Sequence, residues 1–341
     1  MILTKCKIEA IDLDQRIDDK IKNGELEKLL LMVPTNRKVR YLKKDIISFA
    51  PGKATGKINL ETIGSFATNL YFCDSAGSKA NVHQMKILSD AASSVLLKQS
   101  IQACKLKYFE NNKSVPSGTL DRIRNVISEY KKHGLTPSKL KQESLSLEGT
   151  EKIKAEDIAE IYEKYQQKCN ELQVKEIGDI YDEIIRLSAD GFSKRFRELY
   201  PEVNLIVING FDEFTIPEIE IINYTANINK VELFLQFDYY KYNNLIFSHL
   251  DKCYNILISK DFSPVVDSSK GELNKIQNLI RENLFKKNSS GTVEILKPSI
   301  TKITGQTRGR EIELFAKEIK NLITNLGIEP NQICVAFNLI H

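Results

Sequence analysis

NLIVINGFDEFTIPEIEII, residues Asn204–Ile222, decides the fold. The four apolar residues Leu205 to Ile208 read as a short strand buried on both faces, because they show no polar alternation. The polar cluster that follows, beginning at Asn209 and Gly210, lies at the strand's carboxyl end, where open α/β sheets gather the groups that meet ligands. Asp212 and Glu213 come next and could each bind a metal ion. Pro217 marks a helix start just beyond them, so the two acids are better read as capping groups favoured by that helix's dipole.

Composition bounds the class. A chain of 341 residues has room for two or three domains, each with its own core. Its 42% hydrophobic and 28% charged content is that of an ordinary globular protein. The net charge of +4 gives no global basic field, so any nucleic-acid binding must be local. Six scattered cysteines with no C-x-x-C pair, and four histidines that cluster with none of them, argue against zinc or a disulfide framework and fit a reducing cytoplasm. The longest apolar runs, such as Leu29–Val33, fall far below the roughly 20 residues that span a bilayer. No basic-then-apolar leader opens the chain, and neither a membrane nor a secreted location is expected.

Working outward from Asn204, the pattern is α/β at both ends and helical between. A polar stretch to about Lys28 reads as helix, LLLMVP as strand, and NRKVRYLKKDIISF as a basic amphipathic helix. Pro51–Lys57 is turn chemistry, Ile58–Thr62 a strand, and a helix follows from Ser65. From about His83 to Tyr200 the apolar spacing is helical nearly throughout. Strands resume at Leu205–Ile208 and Val231–Phe237. The polar stretches Ser263–Lys270 and Lys286–Gly291 read as a linker, followed by a strand at Val293–Leu296, a helix at Arg310–Leu326 and a strand at Ile333–Phe337. With one helix–strand step barely complete at His341, the sequence reads as part of a longer protein.

Four runs in this order resemble superfamily 1 helicases of the UvrD/Rep kind, and specifically the AddB-type subunit of bacterial helicase–nucleases, whose amino-terminal half is an inactivated helicase. VPTNRKVRYLKKDI (Val33–Ile46) is similar to the helicase segment that touches single-stranded DNA. LETIGSFATNLYF (Leu60–Phe72) resembles the motif after it. IYEKYQQKCNELQVKEIGDIYDEIIRL (Ile161–Leu187) and RGREIELFAKEIKNLITNLGIEPNQICVAF (Arg308–Phe337) resemble later helicase runs.

The departures remove the ATPase chemistry. Asn209 and Gly210 stand where the helicase Walker B segment has Asp-Glu, the metal ligand and the residue that acts on the attacking water. A phosphate loop needs G-x-x-x-x-G-K-[ST], yet EAIDLDQRIDDK after the amino-terminal strand has no glycine before Gly24. GKATGK at Gly52–Lys57 fails too, with Ile58 where Ser or Thr is needed. The Gln-x-x-Tyr-Gly motif is replaced by LFLQFDYY. Patterns such as Glu129–Lys131 and Glu318–Lys320 lie on helices and read as solvated faces, so no nuclease centre and no metal site is expected here.

The resemblance implies a RecA-like α/β parallel-sheet domain with its nucleotide site lost. That domain spans residues 1–82 and 201–262, with a helical insertion at 83–200; residues 263–341 form a linker and the start of a second RecA-like domain. Its DNA-binding residues would be Thr35, Asn36, Arg37, Lys38, Arg40 and Lys44 on the basic helix, with Ser65 and Phe66 on the next motif. Spacing places Arg37, Arg40 and Lys44 near one helix face, which is equally the pattern of a solvated surface. Phe66 stands where helicases stack an aromatic on a base, although a core phenylalanine has the same signature. The implied partners are single-stranded DNA and a motor helicase–nuclease subunit in a hetero-oligomer. No cofactor is expected in this segment, and it is expected to be non-catalytic within an exodeoxyribonuclease. Two rivals remain: an interaction scaffold for the motor subunit that binds no DNA, and an active ATPase with an unusual phosphate loop.

Overall fold

In the computed structural model, residues 1–49, 57–73, 86–109, 116–268, 275–286 and 301–336 are described. The chain first forms β1 (Ile2–Thr4), β2 (Ala10–Ile11), α1 (Leu13–Lys22), β3 (Leu29–Met32), α2 (Asn36–Phe49), β4 (Asn59–Glu61) and α3 (Ile63–Phe72). A mostly helical stretch follows: β5 (Lys86–Ile87), α4 (Asp90–Gln102), α5 (Ser117–Lys132), α6 (Pro137–Glu143), α7 (Gly149–Glu171), β6 (Val174–Lys175), α8 (Ile177–Ile185) and α9 (Ala189–Leu199). The sheet then resumes with β7 (Leu205–Phe211), α10 (Ile216–Ala226), β8 (Glu232–Phe237), α11 (Asn244–Phe247), α12 (Asp251–Ser259) and β9 (Ser263–Asp267). These elements belong to one compact unit, Met1–Glu272; a second, Leu273–His341, holds α13 (Lys275–Asn283) and α14 (Arg308–Thr324).

The main sheet has seven strands in the order β2-β9-β1-β8-β7-β3-β4. Strands β4, β3, β7 and β8 are mutually parallel, and β3 pairs with β7 from Leu29↔Leu205 to Met32↔Ile208. The two apolar runs therefore meet as neighbours although more than 170 residues separate them. Alternation explains why both runs are apolar throughout: Leu30, Ile206 and Ile208 enter the larger core, while Leu29, Leu205 and Val207 enter a second core on the opposite face with Leu13 of α1.

The helical stretch divides in two. Helices α4, α5 and α7 surround a core of their own that includes Leu97, Ile127, Ile161 and Tyr165. Its entry and exit strands, β5 and β6, pair in parallel and tie the two ends of this bundle together. Helices α8 and α9 instead join the sheet's larger core through Ile180, Ile184, Phe192 and Phe196. Within the stretch expected to be a helical insertion, 83–200, the described helices thus form a bundle with its own core and two helices that cover the sheet.

Several sequence expectations change. Ser263–Asp267 is a strand rather than a linker: β9 pairs antiparallel with β1 and parallel with β2, burying Val265. Thr215, and not Asp212 or Glu213, caps α10; its side chain accepts from Glu218 N while Glu218 Oε2 accepts from Thr215 N at 2.9 Å. Lys131 is no solvated face residue, since its ammonium is buried against Glu176 at 2.8 Å and Asp179 at 3.0 Å. Residues 333–336 carry no strand among the described residues. The turn Pro51–Gly56 and the strand Val293–Leu296 lie outside the described residues.

Candidate nucleic-acid interface

The parallel strands β3, β4 and β7 all deliver the predicted site residues to one edge, that of their carboxyl ends. After Met32 the chain turns at Pro34, and Thr35 caps α2 by accepting from Lys38 N at 3.2 Å. Helix α2 therefore begins at this edge with its positive dipole end outward. Thr35, Asn36, Arg37, Arg40 and Lys44 are exposed, and Lys38 is half-buried. Among the described residues, none of Arg37, Lys38, Arg40 and Lys44 forms an ion pair.

Asn209 and Gly210 are exposed and lie in a bulge of β7, because Ile208 pairs with Leu235 and the next partners are Phe211 and Phe237. Gly210 has φ +84°, and a Cβ there would collide with Lys38 Nζ and lie 3.7 Å from Pro34 Cδ. Two demands, left-handed backbone and close approach, thus select glycine here and set the Lys38 side chain across the end of β7.

One strand over, Thr62 caps α3 by accepting from Ser65 N at 3.0 Å, with the Ser65 hydroxyl 3.0 Å from Thr62 Oγ1. Ser65 is half-buried at this helix start. Phe66 is not available to a base: it is 0% exposed and packs 6.2 Å from Phe196 and 5.7 Å from Tyr200 between ring centroids. Its neighbours Ile63, Ala67 and Leu70 are also buried, so α3 presents its apolar face, Phe66 included, to the core.

Two features of this edge escaped the sequence reading. Glu61 ends β4 and accepts from Tyr200 Oη at 2.8 Å and Asn69 Nδ2 at 2.9 Å. Burial raises its carboxyl pKa, against the lowering effect of those hydrogen bonds and of Lys57 and Lys43. Beyond β8, Tyr242 is 64% exposed, with Lys241 Nζ 5.1 Å from its ring centre. The direction of the amino-terminal strand was missed as well: β1 runs antiparallel to β8, with Ile2 opposite Gln236 and Thr4 opposite Phe234. The turn after β1 consequently leaves at the amino ends of the parallel strands, where Lys5 Nζ donates to Asn223 Oδ1 at 2.6 Å. Among the described residues, no group of three or more His, Cys, Asp or Glu side chains is placed to hold a metal ion.

What this edge can do chemically is bind an anion. It joins unpaired cations, two helix amino termini and exposed amide and hydroxyl groups, and carries the Asp212 and Glu213 carboxylates exposed to solvent at its far side. No helix of the described residues is long and apolar enough to cross a membrane. Among known proteins, a search of curated sequences found no match. The family model described as ADDB, N-terminal, matches residues 13–261. That match covers the sheet from α1 to α12 and the whole helical bundle, and the chain belongs to the AddB amino-terminal family.

Proposed function

We propose that this chain is the helicase-like, ATPase-inactive region of a nuclease subunit, acting in the cytoplasm in double-strand break processing and recombinational repair. Its parallel sheet is read as RecA-like, with the α4–α7 bundle as the insertion and Leu273–His341 as the start of a second RecA-like domain. Its task is to hold a single strand along the carboxyl edge, beside a motor helicase–nuclease subunit that supplies translocation. The observation that carries this reading is the set of cations Arg37, Lys38, Arg40 and Lys44 at the capped start of α2, none of them in an ion pair among the described residues.

The loss of ATP chemistry rests on two placements. Phosphate loops act at the carboxyl ends of parallel strands, where successive N–H groups meet the phosphates. Here the turn after β1 lies at the opposite end, and the bulge Asn209–Gly210 stands where a metal ligand and general base are required.

Binding of a labelled oligodeoxythymidine across a salt series tests the DNA reading. Four phosphate contacts give a slope of about −2.8 in log affinity against log salt. Replacing Arg37 and Lys38 with Ala flattens the slope by about 1.4. The scaffold reading draws on the exposed apolar side chains of the same helix, Tyr41, Ile47 and Phe49, which are 63%, 54% and 83% exposed. It prevails if the chain shows no salt-sensitive DNA binding while still capturing the motor subunit.

A further inference from the structure

The helical bundle carries a cleft of about 720 Å³ that the carboxyl-edge site does not use. It lies where α5 and α7 meet the turn before residue 110, and its floor is apolar, formed by Phe109, Ile123 and Ile158. Its rim holds Arg122, Lys154, Asn125 and Thr119, two cations and two neutral hydrogen-bonding groups, with no carboxylate among the described lining residues. Tyr108 also lines it, the residue 45% exposed and Lys154 Nζ 5.8 Å from the ring centre.

The backbone that carries this exposed aromatic is anchored. The carboxylate of Asp157, only 3% exposed, accepts backbone N–H groups of Lys107 at 3.1 Å, Tyr108 at 2.8 Å and Phe109 at 3.1 Å. Those bonds fix the Tyr108 backbone and direct the negative charge of Asp157 toward the turn's own amides. An edge-on contact with Phe109, 4.8 Å between ring centres and 83° between planes, orients the ring from below. An exposed aromatic ring with one cation over it and a second in the same cleft is an arrangement that can stack a base, the ring's cation moving to its phosphate.

We propose that this cleft is a second single-strand contact, taking one nucleotide with its base on Tyr108 and its phosphate between Arg122 and Lys154. It rests on the DNA reading above and extends it from the carboxyl edge onto the helical bundle. A cleft of this size suits one nucleotide.

The test uses the 341-residue chain and oligodeoxythymidines of two lengths, about 8 and about 30 nucleotides, since each such contact region covers roughly 4–16. Tyr108→Ala is expected to weaken binding of the long strand by roughly 5- to 150-fold, and Tyr108→Phe to restore it. Arg122→Ala with Lys154→Ala should flatten the salt slope by about 1.4. Photocrosslinking of a 5-iododeoxyuridine strand should label the peptide that contains Tyr108. Long-strand affinity and slope unchanged in all three variants, with no crosslink at Tyr108, would overturn the proposal. Weakening by the Arg37 and Lys38 variants alone rejects the cleft and leaves the carboxyl-edge reading intact. Tyr108 and its rim are exposed, so equal melting temperatures of variant and parent confirm that a loss of binding is local. If the cleft instead captures an acidic peptide and the Tyr108 variants bind DNA normally, the nucleic-acid assignment fails.

Discussion

Arg37 and Lys38 occupy the first turn of α2, and their exposure was partly legible in the sequence. Helical spacing puts Val39, Leu42 and Ile46 inward and the cations outward, and the structure keeps Arg37 and Arg40 exposed. The half-burial of Lys38 was not legible, because it depends on Gly210, distant in sequence and brought near only by the β3–β7 pairing. Phe66 was legible in principle: Ile63, Phe66, Ala67 and Leu70 form one helical stripe, and a stripe of that kind faces a core. Glu61 gives a pH prediction at this scale. Its raised pKa means that the folded state holds the proton more tightly than the unfolded chain, so stability falls as pH rises from about 4.5 through the raised value. Glu61→Gln keeps an acceptor for Tyr200 Oη and removes the charge. Its stability relative to the parent is therefore expected to be more favourable at pH 7 than at pH 4.5, as read by urea denaturation at both pH values. A relative stability that moves the other way would show that the carboxylate is stabilised by its partners instead.

At the scale of elements, α5 and α8 join the bundle to the sheet's covering helices, and their approach is close enough to require Gly178. A Cβ there would stand 2.5 Å from the Lys131 carbonyl carbon and 2.7 Å from Lys132 N. Because these are backbone atoms, the helices must separate to admit it. Gly178→Ala is expected to destabilise the chain by about 1–3 kcal/mol, the usual range for overpacking, measured as a lower urea midpoint at unchanged slope. A midpoint equal to the parent's would show that the helices part freely. The same seam holds Lys131 against Glu176 and Asp179, and removing Lys131 would leave two buried carboxylates facing each other. None of this was readable beforehand, since an E-x-K pattern on a helix says nothing of carboxylates about 45 residues away. Strand β9 was hidden for a similar reason. SPVVD buries only Val265 and carries a proline as its second residue, so nothing local distinguishes a strand from a linker.

At the scale of the molecule, the parallel half of the sheet was legible and the antiparallel half was not. Continuous apolar runs announce strands covered on both faces, and β3, β7 and β8 are such strands. β1 is three residues long, and its direction follows from pairing with β8 and β9 rather than from its own composition. That direction carries the whole-molecule prediction about nucleotide. Adding ATP with Mg²⁺ should leave the melting temperature unchanged within error. A rise of several degrees, at nucleotide concentrations far above any plausible dissociation constant, would reveal a phosphate site that the topology does not supply.

The central claim is that the carboxyl edge of this sheet grips a nucleic-acid backbone in place of a nucleotide. The most direct measurement is the affinity of the unmodified chain for a labelled oligodeoxythymidine between about 50 and 200 mM salt. Affinity is expected to fall roughly 50-fold over that range, as four neutralised phosphates imply, and by the same factor with and without ATP and Mg²⁺. Binding that is absent at the lowest salt, or present with no dependence on salt, would contradict it.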